Sequence, residues 1–317
     1  MNTAVLKRIK FERYIYALLM IFMMVGIAEL SGEKEIIFPE IVALTIGAWV
    51  AEKQPWKINK RKLFFLMSLS SAVGVIVVKY IHMPLIAKVL MCFAFTGVAL
   101  TLTKTTLLPI ISACILPVYM NISSWVYPIS VCIMSLMIIF LQWILEKRRR
   151  RPKNKYIPCE YNYKIELTKW TKLFIALAII SLLPFKSQNL FFIAPPLIVA
   201  FAEFANVKSP LRKRPYRIFL VLVLAGVLGT VLREVLNLYL HMPLTFSAVV
   251  ACVLLFAAFE RLNILFPPAG AILLLPMILD VTDLKLYPLQ VAVGSLVFIS
   301  AAFVLFKDKT KKDILIQ

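Results

Sequence analysis

The sequence predicts an all-α, polytopic membrane protein of about twelve transmembrane helices, arranged as two parallel six-helix repeats. Three observations lead there. The 317 residues are 61% hydrophobic and 16% charged, with a mean hydropathy of +0.87, whereas soluble domains carry about 25% charged residues. The apolar residues fall into windows of membrane-helix character, separated by charged or Pro- and Asn-containing breaks. Finally, Tyr80-Ile81-His82-Met83-Pro84 returns 159 residues later as Tyr239-Leu240-His241-Met242-Pro243. The same offset carries Pro109 onto Pro268 and Pro117 onto Pro276, and Tyr127-Pro128 meets Tyr287-Pro288 after a one-residue slip. A repeat of this length reads as an internal duplication and organises every other inference.

In chain order, the first half supplies apolar segments at about 14–31, 36–51, 63–81, 85–103, 106–120 and 126–145. The second half supplies segments at about 172–185, 190–205, 218–240, 244–259, 264–279 and 288–306. Lys7, Arg8, Lys10 and Arg13 precede the first window, but no small-residue cleavage site follows it, so it reads as an uncleaved span. Several windows fall short of the about 20 residues that a perpendicular helix needs, which marks them as tilted, broken or partly inserted. The chain divides into a first transmembrane repeat (1–145), a basic linker (146–171) holding Pro152 and Pro158, and a second repeat (172–317).

Charge sets the topology. With the N-terminus inside, alternate loops at 7–13, 53–62, 104, 147–172, 208–217, 261 and 307–312 collect 30 of the 36 basic residues. The other side holds Lys34, Lys79, Lys88, Lys186, Arg233 and Lys285, roughly balanced by Glu29, Glu33, Glu35, Glu40, Glu234, Asp280 and Asp283. The net charge of +20 is therefore a topology signal and not a nucleic-acid surface. If a short fifth segment failed to cross, Arg148, Arg149, Arg150 and Arg151 would face outside, so six crossings per half are expected, with the halves related by an axis along the membrane normal. This places the protein in the cell membrane as a multi-pass chain with both termini cytoplasmic. The linker's basic start would lie against anionic lipid headgroups.

The five cysteines form no CxxC pair, and four lie within apolar runs, so neither a disulfide framework nor a zinc site is expected. The chain has no Gly-rich phosphate loop, HExxH, GxSxG or paired carboxylates. No enzyme activity, cofactor or metal is expected.

Candidate binding residues come from three features. Pro267, Pro268, Ala269 and Gly270 open the fifth span of the second half, and Pro109 opens its counterpart. Proline at a first helical turn costs no hydrogen bond, Ala-Gly-Ala admits close approach, and a helix start at membrane depth presents free N–H groups and a positive dipole end that suit a small anion. The alternative is a tight helix-packing corner. His82 and His241 precede Met-Pro at the ends of third spans and read either as proton-linked groups or as interfacial turns. Arg233, Lys104 and Lys88 are ionisable residues in or beside spans, with snorkelling as the structural alternative. Small residues at Ser68, Ser71 and Gly74, and at Gly226, Gly229 and Thr230, predict close helix packing.

The second half resembles the HPP family of integral membrane proteins. The resemblance is carried by Ala202-Glu203-Phe204-Ala205, by Lys208-Ser209-Pro210-Leu211-Arg212-Lys213-Arg214-Pro215 and by Phe266-Pro267-Pro268-Ala269-Gly270-Ala271, over about residues 190–305. The first half looks like a degenerate copy, with Gln54-Pro55-Trp56-Lys57 in the loop and Leu108-Pro109 at the helix start. Some family members are linked to nitrite transport, so the resemblance implies a small-anion permease. Phe266 stands where the family's motif histidine would be.

The reading is a permease or channel for a small inorganic anion, nitrite-like by resemblance, embedded in the lipid bilayer with its site between the halves. A homo-oligomer is left open. The alternative is a non-transporting scaffold or regulator acting through the basic cytoplasmic loops.

Overall fold

The computed structural model describes residues 3–153, 156, 158, 162–207 and 209–307, and these contain helices and no strand. Eight helices are long and apolar enough to cross a membrane. Four of them belong to the first half: α1 (Thr3–Ser31), α3 (Lys60–Tyr80), α4 (Leu85–Thr103) and α6 (Val126–Lys147). In the second half they are α7 (Tyr163–Lys186), α9 (Pro215–Leu232, continued as a π-helix over Arg233–Tyr239), α10 (Leu244–Leu262) and α13 (Tyr287–Leu305). The other four apolar segments are short helices. They are α2 (Glu40–Thr45, continued as a π-helix over Ile46–Val50), α5 (Pro109–Tyr119), α8 (Pro195–Phe204) and α11 (Pro267–Leu274). α12 (Val281–Leu284) is a single turn. Eleven residues of helix, the length of α5, rise about 16 Å, roughly half of the about 30 Å hydrocarbon core.

Side-chain contacts fix which helix ends lie together. Lys60 at the start of α3 pairs with Glu146 at the end of α6 at 2.6 Å, and Lys62 donates to the Thr103 carbonyl at the end of α4 at 2.7 Å. Arg13 of α1 reaches the Arg150 carbonyl at 2.9 Å. These ends define one face, termed basic because the arginines from 148 to 151 lie on it. In the second half, Arg217 at the start of α9 donates to the Leu262 carbonyl at the end of α10 at 3.3 Å, and Arg212 donates to the Phe306 carbonyl just after α13 at 2.6 Å. α4 thus ends on the basic face and α6 starts on the far face. The chain between them climbs through the non-helical residues 104–108 and then α5, and the chain between α10 and α13 climbs through α11 in the same way.

Local geometry recurs at the offset seen in the sequence. Lys104 and Asn263 both close their helices in the left-handed conformation, at φ 53° and φ 51°. Pro84 and Pro243 both cap the next helix. The Tyr127 hydroxyl donates to the Ala113 carbonyl at 3.1 Å, and the Tyr287 hydroxyl to the Ile272 carbonyl at 2.8 Å. A side chain at Gly74 would overlap the Cys114 carbonyl and press on Pro117, while one at Gly229 would overlap the Leu273 carbonyl and press on Pro276. Here only glycine lets a long helix touch the backbone of a short one, which is how helices associate when lipid is as apolar as they are.

The halves are interlocked. α1 lies along α10, held at the basic face by Tyr14 and Lys10 on Glu260, both at 2.6 Å. At the far face the Glu29 carboxylate accepts the backbone N–H groups of Leu244 and Thr245 at 2.7 and 3.0 Å. α7 lies along α4, with Trp170 against Gly97 and 5.7 Å from the Phe93 ring. α2 packs on α11, and α5 on α8.

The linker is shorter than expected. α6 continues to Lys147 and α7 already begins at Tyr163, so residues 163–171 are helical. The Asn162 side chain caps α7 by accepting from Lys164 N–H at 3.1 Å, Glu166 pairs with Lys169, and Trp170 docks on α4. Capping and amphipathic contacts extend the helix through turns too polar to register as apolar. Residues 154, 155, 157 and 159–161 of the expected linker lie outside the described residues.

Candidate functional site

The four short helices meet at the centre of the molecule, and a cavity of about 360 Å³ lies between their starts. One wall is the face of α2 that carries Glu40 and Ala43, and the opposite wall is the face of α8 that carries Pro196, Val199 and Glu203. Pro109 and Ser112 of α5 and Phe266, Pro267, Pro268 and Ala271 at α11 complete the lining. The cavity opens on the basic face, where Lys53, Pro55, Asn206 and Pro210 line it and are exposed.

Prolines place the breaks. Pro39, Pro109, Pro195, Pro196, Pro267 and Pro268 stand at the starts of the short helices, where their fixed φ favours the first turn and forbids continuation backwards. At the other ends arginines take up the freed carbonyls. Arg151 donates to Trp49 O at 2.6 Å and Ala51 O at 3.0 Å after α2, and Arg212 donates to Phe204 O at 2.5 Å after α8. Arg233 donates to Pro276 O and, at 2.6 Å, to Leu279 O after α11. A cation at a helix C-terminus satisfies orphan carbonyls and complements the dipole. Burial, reinforced by the nearby Arg13 and opposed by Glu146, lowers the Arg151 guanidinium to about 10, which leaves it charged at neutral pH.

Of the residues singled out from sequence, the structure brings Pro109, Pro267 and Pro268 together at the cavity. Ala269 and Gly270 lie buried just behind the lining, where Gly270 is packed so closely on Val42 of α2 that a side chain would overlap it. The remaining candidates lie elsewhere. Arg233 is buried, but its guanidinium is engaged by the two carbonyls named above. Lys104 is the exposed closing residue of α4, Lys88 sits in the first turn of α4, and His82 and His241 are exposed on the far face.

The free N–H groups expected at the proline helix starts are not there. Prolines at the first turn have no N–H, and the next donors are taken. Ala269 N–H bonds Phe266 O at 3.1 Å, Leu197 N–H bonds Ala194 O at 2.8 Å, and Ile110 and Ile111 N–H bond Leu107 and Leu108 O at 3.3 and 3.0 Å. Tight i to i+3 bonding at a helix end uses the donors a longer cap would leave open. What remains at these starts is the field of the aligned peptide dipoles.

Two carboxyls that the sequence reading left aside line the cavity instead. Glu40 is 1% exposed and accepts a hydrogen bond from Ser112 Oγ, while its Oε2 has no partner. Glu203 sits near the mouth and accepts from Ser209 Oγ at 3.4 Å. Counting Glu40 with the loop charges overlooked a usable signal: it falls inside the 36–51 apolar window, and an ionisable residue within such a window is a functional candidate by default. Ser112 offers no comparable signal, because a serine in an apolar helix is ordinary.

Phe266 is fully buried, with its ring 6.3 Å from that of Phe204 and roughly perpendicular to it. At the position of the motif histidine the chain therefore supplies an apolar wall. No curated protein and no solved structure matches the chain. Residues 159–313 match the family model described as HPP, transmembrane region, a stretch that starts earlier than the motifs alone suggested and takes in all of α7. The second half of this multi-pass membrane protein thus matches the HPP transmembrane family.

Proposed function

We propose that the protein is a permease for a small inorganic anion, using the central cavity as its binding site. The observation that carries this reading is the cavity itself, buried among four helices that start at prolines and, among the described residues, lined at the basic face by residues 53–56, 206 and 209–211. Broken helices meeting between two halves are the arrangement in which secondary transporters hold their substrates. The dipoles of α5, α8 and α11 point positive ends at this space, Lys53 adds a cation at the mouth, and nitrite is the precedent substrate that the sequence resemblance implies.

The recurring geometry supports two parallel repeats of six crossings, each with four full-length helices and two composed of extended chain plus short helix. The basic face is then cytoplasmic, with both termini on that side and the protein in the cell membrane.

The test is saturable uptake of sodium nitrite into proteoliposomes, with formate, nitrate and chloride as competitors. Ala43→Phe places a ring in the cavity from a buried, lining position. It is expected to abolish uptake while the protein remains monodisperse. Saturable uptake that survives the ring places the pathway elsewhere. No uptake of any anion by correctly oriented wild-type protein favours the scaffold role.

A further inference from the structure

We propose that Glu40 is the proton-carrying ligand of the cavity, so that the transported anion is the conjugate base of a weak acid and moves together with a proton. The proposal rests on the permease reading above and narrows its substrate.

The argument starts from what Glu40 lacks. It is 1% exposed and lines the cavity; one oxygen is held by Ser112, and the other is unpartnered. Among the described residues no lysine, arginine or histidine forms an ion pair with it. A buried carboxylate without a cation is costly, so such a group is normally satisfied by a proton or by something entering the space in front of it. An anion cannot be that partner unless a proton lies between them. With the proton on Oε2, the carboxyl becomes a hydrogen-bond donor in the cavity wall, within reach of an anion once its side chain turns toward the space. It replaces the backbone donors that proline and i to i+3 bonding have removed from the helix starts.

The surroundings suit that role. Ser112 on α5 fixes one oxygen, and the other is buried in the cavity wall without a hydrogen-bond partner. Tyr127 on α6 and Tyr287 on α13 are close enough to interact electrostatically with Glu40, but their hydroxyls donate to the Ala113 and Ile272 carbonyls and are not free for the anion. Cys114 is the other titratable side chain near Tyr127, and α11 contributes none. Glu203 and Lys53 lie toward the mouth, where a proton can be received from water. In the cycle, Glu40 gains a solution proton relayed by water in the cavity, the anion accepts a hydrogen bond from it, and proton and anion leave together on the other side, returning Glu40 to its carboxylate, so charge and atoms balance with no redox step. Nitrite and formate accept such a bond well, and chloride and nitrate accept it poorly.

Two measurements on the purified protein test the assignment. In proteoliposomes loaded with a pH dye, an inward sodium nitrite gradient is expected to acidify the lumen in proportion to nitrite taken up, above protein-free vesicles. In Glu40→Gln, whatever flux remains above that of protein-free vesicles is expected to lose its proton, so that the ratio of protons to nitrite in this protein-dependent part falls toward zero. A residual flux with the wild-type ratio overturns the proposal. Infrared difference spectra across pH read the carboxyl without any flux. A protonated-carboxyl band that titrates in the wild type, is missing in Glu40→Gln and shifts in Ser112→Ala supports the assignment, and Ser112→Ala alone serves if Glu40→Gln does not fold. Spectra in which neither variant changes a titrating band overturn it. A titrating Glu40 band with no nitrite uptake by the wild type leaves Glu40 as the protonatable group and removes nitrite as the substrate.

Discussion

The short helices α2 and α8 occupy matching places in the two halves, each running from the centre of the molecule to the basic face, yet they carry their acid at opposite ends. α2 opens on Glu40 at the floor of the cavity, whereas α8 opens on Pro195 and Pro196 and carries Glu203 in its last turn near the mouth. Both end against an arginine, Arg151 from the segment after α6 for α2 and Arg212 from the loop that follows α8. The shared feature is the scaffold, made of proline at one end and arginine at the other. The feature that differs is the chemistry presented to the cavity. The two similar frames thus offer one deep carboxyl and one shallow one, and a site built this way has a direction.

The comparison can be broken most severely at the glycines. Gly74→Leu and Gly229→Leu each place a side chain against a backbone carbonyl that cannot move aside. Overpacking of this kind costs about 1–3 kcal/mol and more where backbone must shift, so both variants are expected to lose the monodisperse peak in detergent. If only one half tolerates its leucine, the two scaffolds are not equivalent.

The arginines come next. Arg151→Ala leaves the Trp49 and Ala51 carbonyls without their partner at a site 3% exposed, and orphaning a buried polar group costs about 1–3 kcal/mol. Arg212→Ala is expected to cost less, because Arg212 is only partly buried. Thermal unfolding followed by size exclusion ranks the two, and a larger loss for Arg212 would reverse the order proposed here.

The smallest effects sharpen the contrast between the acids. Ser112→Ala removes the side-chain hydroxyl that holds a buried carboxyl and is expected to cost about 1–3 kcal/mol. Ser209→Ala removes a 3.4 Å bond to Glu203 and a weak cap on Leu211, worth about 0.5–1 kcal/mol. Equal losses in the melting temperature would mean that depth does not distinguish Glu40 from Glu203.

Much of this was legible in the sequence. The twelve apolar windows each correspond to a helix because hydropathy reports burial in lipid or protein alike, and the repeat of Tyr80 to Pro84 at Tyr239 to Pro243 marks turns that recur in space. Pro109, Pro267 and Pro268 were found because proline has a positional meaning that needs no neighbours. The cavity's acids were not found, since the depth of Glu40 depends on extended residues and a helix break that place it well inside the fold. Arg233 misled for the converse reason. An arginine within a span signals something buried, but only coordinates reveal that its partners are the Pro276 and Leu279 carbonyls. The start of α7 escaped because its polar first turns are held by Asn162, Glu166 and Trp170, contacts that hydropathy does not register.

The seam between α1 and α10 bears on how the protein is made. Glu29 finds its backbone donors at Leu244 and Thr245, 215 and 216 residues further along the chain. α1 therefore has its carboxylate without these donors until α10 has been synthesised. During that interval the nascent chain depends on water, lipid headgroups or the insertion machinery to hold the end of α1. Assembly of the first half can be completed only after most of the second has been translated.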